Sequence, residues 1–506
     1  MEELIDKLYK YVKEYKYKYG TAGFRFNAYT IENKIAPRIG SLLLIITNML
    51  NWGKVGLVVT ASHNSVIDNG IKIINNRGEM VEKEIERLSE IIINLPIEIY
   101  NNIIKSVSSS YKSNSYLIIG TDNRPNSRII KDIIIDDWLN VNRNIIDLDI
   151  CTTPNLHFIV VNPLLNYLNY IYDNFMKLNK YIISDNRITI DCANGAITNT
   201  ILSLSNRLYP YIMFDLININ DGKYINDGCG AEYVHKTKKI PKMTNLINNK
   251  VIASFDGDAD RLIMIYKEND IINIIDGDQI GTIITDFIIE QINIINIETN
   301  IGYIQTAYAN GNSTKYIRNQ KIETKYVATG VKYLHNEAKK YDIGIYFESN
   351  GHGTVLFKKE YINKIKEIKD NGKQDAINNI IYISQLMNQT VGDALSILLV
   401  IISIMNIKNT TLNKLVKYDN KPNNIYKMII NNKDSIKTNE DETRIIEPKE
   451  IQDKIDKLIN EFTEFNPRIF IRPSGTEDCI RIYIESDLED INYIIYNNLI
   501  DNLFKK

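Results

Sequence analysis

The chain has 506 residues, of which 44% are hydrophobic and 24% charged, with a net charge of −2. That is material for about three or four domains with large cores, and with no basic arm or stripe it excludes the usual footprint of a nucleic-acid binder. Cys151, Cys192, Cys229 and Cys479 are far apart and form no C-x-x-C pair, which excludes a zinc ribbon or a disulfide framework and points to a reducing compartment.

In chain order, "MEELIDKLYKYVKEYKYKYG" is amphipathic and mixed in charge, without the apolar core of a signal peptide. "PRIGSLLLIITNMLNW" follows as a helix, then "VGLVVT" as a strand. "YLIIGTD", "RITIDCANG", "VIASFDGD", "IGYIQT" and "IGIYFESNGHG" are further strands that end in polar loops. "DGDQIGTIITDFIIEQI" and "GDALSILLVIISIM" are helices among them. Strands alternating with helices predict βαβ units and mostly parallel sheets, with ligands at the strand C-terminal ends. Past "IISIMNIKNTT" come a charged stretch, the helix "EIQDKIDKLINEF" and the strand–loop–strand "PRIFIRPSGTEDCIRIYIES", which predict a smaller C-terminal α+β domain. Apolar runs such as "IIGTIITDFII" contain Asp and are too short to span a bilayer, and the terminal "NLFKK" is no known address. The expectation is a cytoplasmic protein with neither membrane nor nucleic acid as partner.

Four short stretches carry chemistry. "VVTASHNSVIDNGIKI" sets Ser62 and His63 on a loop after a strand, with Lys72 ten residues beyond Ser62. No G-x-S-x-G elbow frames Ser62, so a serine hydrolase is a poor reading. Asn69-Gly70 predicts a tight turn that folds "IKII" back along "LVVT" and brings Lys72 toward Ser62. In "ASFDGDADRL", alternation sends Asp256, Asp258 and Asp260 to one side of an extended loop. Three converging carboxylates repel unless a cation lies among them, and hard oxygen ligands suit Mg2+ or Ca2+. An EF-hand is excluded, because Arg261 and Lys267 stand where that loop needs Gly and Glu. The plain alternative is a solvated acidic turn. "IYFESNGHGTVLF" offers Glu348, Asn350 and His352, which share one face if the run is extended and then suit a polyhydroxyl ligand; an ordinary Gly-rich turn is the alternative. In "RIFIRPSGTEDCIRIYIES", Arg472 and Arg481 flank Ser474, Gly475 and Thr476. Hydroxyls, N–H groups and bidentate arginines make a phosphate cradle, where a simple Pro-Ser-Gly hairpin would not need the arginines.

Taken together, "TASHNxxxDNGIK", "DGDADR", "ESNGHG" and "RPSGTEDxxR" resemble the α-D-phosphohexomutases. "YGTAGFR", "GTDNRPNS", "TTPNLH", "IDCANGA", "CGAEYV", "QTAYANGNST", "ATGVKYLH" and "NQTVGDAL" extend the likeness nearly end to end. "QTAYANG" and "ESNGHGT" draw it toward the eukaryotic phosphoacetylglucosamine mutases. Ser65 departs from the family, which usually has Pro there; that puts the stiffness of the serine loop in question. The resemblance implies an α/β, heart-shaped, four-domain fold. Its α/β domains would be 1–178 with a phosphoserine loop, 179–297 with a metal loop and 298–406 with a sugar loop; the smaller α+β domain, 407–506, would carry the phosphate loop. It implies that Ser62 carries a phosphoryl group and, with Asp256, Asp258 and Asp260, binds one Mg2+. Arg25, His63 and Arg261 would steady this region, and Lys72 or His352 would be the base. Glu348, Asn350, Gly351, Thr329 and Gly330 would bind sugar; Arg472, Ser474, Gly475, Thr476 and Arg481 would bind its phosphate. A monomer acting on hexosamine phosphates, with a bisphosphorylated sugar as activator, completes the expectation. A sister mutase for glucose, mannose or glucosamine phosphates would use the same parts. A non-catalytic paralogue would be expected to have lost Ser62, an aspartate or Arg472.

Overall fold

The computed structural model describes the chain except residues 21, 111–113, 141, 143, 180–185, 220–221, 243–249, 431, 475–477 and 505–506. It forms two compact units, one of residues 1–274 and 390–406, the other of 275–389 and 407–506.

The first unit holds two mixed sheets. One has six strands, β1 (Tyr19–Gly20), β2 (Gly23–Asn27), β3 (Lys54–Val59), β4 (Asp68–Ile74), β5 (Tyr116–Thr121) and β6 (Ile145–Ile150), in the order β1-β2-β4-β3-β5-β6. The other has five, β7 (Asn186–Asp191), β8 (Ile212–Ile217), β9 (Val251–Phe255), β10 (Leu262–Glu268) and β11 (Ile271–Ile275), in the order β11-β10-β9-β7-β8. β3, β5 and β6 run parallel, as do β9, β7 and β8. The helix Ile39–Met49 is apolar on all sides and nearly every residue of it is buried, in a core shared with Leu57, Ile119 and Trp138. A helix of that composition has no water-facing side to offer, so it sits inside. The equally apolar helix Ala394–Ile407 starts in this unit, although the sequence reading assigns its residues up to 406 to the third segment. Ser403 accepts from Asn179 Nδ2 at 2.7 Å, and Asp393 accepts from the Tyr167 hydroxyl at 2.8 Å.

The second unit holds a four-stranded sheet of β12 (Ile301–Thr306), β13 (Glu323–Val327), β14 (Ile343–Phe347) and β15 (Gly353–Phe357), in the order β13-β12-β14-β15. The helix Gly277–Ile295 belongs with it. Further on, β16 (Asn423–Ile429), β17 (Lys437–Thr438), β18 (Ile445–Glu447), β19 (Arg468–Pro473) and β20 (Cys479–Glu485) form an antiparallel sheet, β16-β20-β19, and a β17–β18 hairpin. The helices Lys449–Glu461 and Glu489–Phe504 accompany them, and Ile455, Ile471, Ile482 and Leu499 build one core. The C-terminal α+β reading is therefore met.

The expectation of mostly parallel sheets needs correction. β4 returns antiparallel to β3, β10 to β9, and β15 to β14. The reason is connection length: a parallel crossover needs a dozen or more residues, whereas short loops can only turn the chain back. Those short loops, with the β19–β20 loop, carry all four chemical motifs.

Candidate active site

The serine loop joins β3 to β4, whose register sets Val58 opposite Lys72. The fold-back is as expected, but Asn69-Gly70 does not make the turn. Both residues lie inside β4, where Gly70 O accepts from Thr60 N at 2.9 Å and Gly70 faces Arg25 of β2. A third strand pairing there outweighs the local turn preference. The chain instead turns over residues 60–67. Backbone bonds from Asn64 N to Ala61 O (3.1 Å) and from Asp68 N to Ser65 O (3.2 Å) stiffen the loop without a proline at Ser65.

Ser62 is buried and sits at φ 53°, in the left-handed region that few non-glycine residues adopt. Several groups hold it there. Its N–H donates to Thr60 Oγ1 (2.9 Å), and that hydroxyl donates to Asp122 (2.6 Å). Its carbonyl accepts from Arg124 Nη2 (3.1 Å) and Asn226 Nδ2 (2.9 Å). Asp122 and Arg124 are themselves a fully buried ion pair. Its Oγ is thus free to point elsewhere and donates to Asp256 Oδ2 at 2.9 Å. Sequence reasoning missed Asp122, Arg124 and Asn226 as site residues. "GTDNRPNS" signalled the first two only as family likeness; Asn226 carried no signal.

Asp256, Asp258 and Asp260 lie in the β9–β10 connection, a tight turn rather than an extended loop, with Ala259 at φ 60°. The turn does what alternation was expected to do: carboxylate oxygens of all three come within 4.8 Å of one another, and all three residues are buried. Asp256 Oδ1 accepts the N–H groups of Asp260 (3.1 Å) and Arg261 (3.2 Å). Thr153 clamps the turn, its N–H on Asp258 O at 3.0 Å and its hydroxyl on Asp258 Oδ2 at 2.6 Å, and Ala394 N donates to Ala259 O at 3.2 Å. Gly257 has to be glycine: a Cβ there would lie 2.6 Å from Ser62 O.

The electrostatics favour a cation. Burial, then the neighbouring charges of Asp260 and Asp258, push the Asp256 carboxyl well above its ordinary range. Asp258 Oδ1 is buried and, among the described residues, makes no hydrogen bond. Such a set, hard oxygen donors in excess of the local positive charge, fits Mg2+. Lys72 Nζ lies 2.7 Å from Asp258 and 3.3 Å from Asp260. Burial works against its charge, but the two carboxylates outweigh it and raise its pKa. Arg261 pairs with Glu232 at 2.6 Å, and Arg25 donates to Asn64 Oδ1 at 3.3 Å. Burial, then the charge of Arg261, drives the His63 imidazole well below its usual value, so His63 is neutral near pH 7. Lys72, Arg25, His63 and Arg261 are therefore all brought to the serine and aspartate loops.

In the second unit, Glu348, Asn350, Gly351 and His352 lie in the β14–β15 turn. Alternation along an extended strand does not apply, because β14 ends at Phe347. Gly351 N donates to Glu348 O (2.9 Å) and Glu348 N to His352 O (2.8 Å), so the run closes on itself. Asn350 Oδ1 accepts His352 N at 3.0 Å, and the His352 side chain is buried. The start of the helix Gly277–Ile295 supports this turn: Gly277 N donates to Ser349 O at 3.2 Å, and a Cβ on Gly277 would fall 1.9 Å from Glu348 O. Thr329 and Gly330 precede the helix Val331–Ala338.

Arg472 and Arg481 are direct cross-strand partners on β19 and β20. Like charges in such a pair repel, which an anion would relieve. Arg472 Nε donates to the Tyr308 hydroxyl at 3.0 Å, and its guanidinium lies 5.3 Å from that ring's centroid. Ser474 is buried; its N–H donates to Cys479 O at 2.9 Å, and its carbonyl accepts from Lys433 at 3.0 Å. Gly475 and Thr476 lie outside the described residues. Tyr308 was visible only as part of "QTAYANG".

A family model for phosphoacetylglucosamine mutase AMG1, domain III, matches residues 276–410. Models for phosphoglucomutase/phosphomannomutase match residues 41–96 and 93–172 (alpha/beta/alpha domain I) and 436–492 (C-terminal domain). Phosphoacetylglucosamine mutase of Candida albicans is 36% identical over 94% of this chain and 94% of that protein. A crystal structure of N-acetylglucosamine-phosphate mutase in its product complex superposes with a TM-score of 0.91 at 34% identity, over 99% of both chains. Aspergillus fumigatus N-acetylphosphoglucosamine mutase, solved with GlcNAc-6P and magnesium, gives 0.90 at 29% identity over 99% of this chain and 98% of that one. With these relatives spanning nearly its whole length, the chain belongs to the phosphoacetylglucosamine mutases, isomerases of the α-D-phosphohexomutase superfamily.

Proposed function

We propose that the protein interconverts N-acetylglucosamine 6-phosphate and N-acetylglucosamine 1-phosphate through a phosphoserine at Ser62 and a bisphosphorylated sugar. The observation that carries this reading is the Ser62 Oγ to Asp256 hydrogen bond, 2.9 Å, within a buried three-aspartate group. Asp256, Asp258, Asp260 and the phosphate on Ser62 would hold one Mg2+, which supplies Lewis-acid stabilisation of the transferring group when bound.

The sugar's resident phosphate is gripped by Arg472, Ser474, Gly475, Thr476 and Arg481, while Glu348, Asn350, Gly351, Thr329 and Gly330 take ring hydroxyls. The free hydroxyl then attacks the phosphoserine phosphorus. A P–O bond to the sugar forms, the bond to Ser62 Oγ breaks, and the sugar hydroxyl's proton passes through a base to the serine oxygen. The bisphosphate turns over and returns its other phosphate to Ser62, so a bisphosphorylated sugar also serves as activator. Positioning and charge do most of such work. Because Asp258 and Asp260 hold the Lys72 amine protonated, Lys72 can serve as base only once another cation engages those carboxylates; His352 is the other candidate. Arg25, His63 and Arg261 steady the two loops. The domains 1–178, 179–297, 298–406 and 407–506 would each supply one of the four loops. N-acetylglucosamine 1-phosphate is the form that a nucleotidyl transfer consumes, so the reading is of a step toward UDP-N-acetylglucosamine, carried out by a cytoplasmic monomer. Among the described residues, no helix is long and apolar enough to cross a membrane.

The test compares N-acetylglucosamine, glucose, mannose and glucosamine 6-phosphates with a bisphosphate present. An acetamido group adds contacts typically worth about 1–3 kcal/mol of discrimination, so the N-acetyl sugar should lead by at least about tenfold in kcat/KM. A clear lead for glucose or mannose 6-phosphate would reassign the substrate. Arg472→Ala should raise KM by about one to two powers of ten, since a hydrogen bond to a charged group contributes about 1.5–3 kcal/mol. An unchanged KM in steady-state kinetics would move the phosphate site elsewhere.

A further inference from the structure

One carboxylate of the chain itself sits on donors assigned above to the substrate. Glu442 lies at the tip of the β17–β18 hairpin, and its Oε2 accepts both the N–H (2.9 Å) and the hydroxyl (2.5 Å) of Thr329. The same oxygen is 3.5 Å from Arg472 Nε, with both side chains only 15–20% exposed. A backbone N–H, a hydroxyl and a guanidinium converging on one oxygen are the donors that anion sites use.

The hairpin tip is built to present that carboxylate. Asn439 N donates to Arg444 O (2.9 Å) and Glu442 N to Asn439 O (3.1 Å), closing the loop. Arg444 N returns to Asn439 Oδ1 at 2.9 Å, and the Thr443 hydroxyl binds Asp441 at 2.6 Å, so the neighbouring acid is spent inside the loop. Glu442 itself stands at φ 59°. That is the left-handed region, which a glutamate adopts at some cost.

We propose that Glu442 is an internal anion that competes with the substrate, with a sugar hydroxyl for Thr329 and with the sugar phosphate for Arg472, and so sets the affinity for substrate. Binding then requires the carboxylate to leave Thr329, which ties substrate entry to displacement of the β17–β18 hairpin tip. The proposal rests on the reading of Thr329 and Arg472 as substrate ligands, and the experiment separates the two.

The dissociation constant of N-acetylglucosamine 6-phosphate is measured by calorimetry for the full-length protein, Glu442→Gln, Glu442→Ala and Arg472→Ala, with unfolding temperatures alongside. Removing the competing charge should tighten binding about ten- to a hundredfold in both Glu442 variants, the order of effect of one charge-assisted hydrogen bond, with KM falling in parallel. A merely structural role predicts weaker binding, since loosening a loop does not strengthen a site. Glu442→Gln keeps the size of the side chain should Glu442→Ala fold poorly. Weakened binding in Arg472→Ala with unchanged or weaker binding in Glu442→Gln would overturn the role of Glu442. Unchanged binding in Arg472→Ala would overturn the phosphate-site reading, and the proposal with it.

Discussion

Ser62→Ala is expected to remove nearly all turnover, at least about 10⁴-fold in kcat, as loss of a covalent carrier does, while leaving the fold intact. Among the described residues the Oγ makes one hydrogen bond, to Asp256. Its removal leaves an acceptor short of one donor, at a cost of about 1–3 kcal/mol, but Asp256 keeps the N–H groups of Asp260 and Arg261 on its other oxygen. The left-handed backbone at Ser62 is held by Thr60, Arg124 and Asn226, none of which contacts the Oγ. Circular dichroism should therefore be unchanged, and the unfolding temperature should fall by no more than about a few degrees. Activity within about tenfold of the wild type would remove Ser62 from the chemistry.

The second large effect is at Asp258. Asp258→Asn keeps the size of the side chain and the main-chain bond from Thr153 but removes a charge from the three-carboxylate group. It should lower kcat by about a thousandfold, since metal charge stabilisation of a transferring phosphoryl group is worth several kcal/mol. The thermal readout is independent of turnover. At a hundred times its dissociation constant, Mg2+ should stabilise the wild-type protein by about 2.7 kcal/mol relative to EDTA, a rise of several degrees. In Asp258→Asn most of that rise should vanish. The variant in EDTA should also lose less stability than breaking a buried ion pair normally costs, because removing one of three repelling carboxylates offsets the weakened hold on Lys72. Full activity of Asp258→Asn in EDTA would end the metal reading.

Much of the candidate site was legible because its residues are clustered in sequence. Asp256, Asp258 and Asp260 are brought together by a local turn that five consecutive residues define, and Arg472 and Arg481 by a single hairpin. The apolar helices Ile39–Met49 and Ala394–Ile407 were legible for a similar reason: composition alone forces them inside. What could not be read depends on pairing between distant segments. Asn69-Gly70 has the local chemistry of a turn, but β2 and β3 both claim it as strand. The return of β4, β10 and β15 against their neighbours follows from loop length, which the strand ends blur in a chain so rich in Ile and Asn. Asp122, Arg124 and Asn226 act on Ser62 from about 60 and 160 residues away, and no spacing rule links them. Glu442 sits in what the sequence shows only as a charged stretch, and only the structure shows that its oxygen faces Thr329.

The central claim is that Ser62 carries the phosphoryl group, and direct labelling tests it. The enzyme is incubated with glucose 1,6-bisphosphate bearing ³²P on both phosphates, quenched, digested with trypsin and mapped. The account predicts stoichiometric label on the Val55–Lys72 peptide, which also contains Thr60 and Ser65, with fragmentation placing it on Ser62. The label should be discharged by added N-acetylglucosamine 6-phosphate. Fully active enzyme with no label at Ser62, or with label on another residue that chases into product, would contradict it.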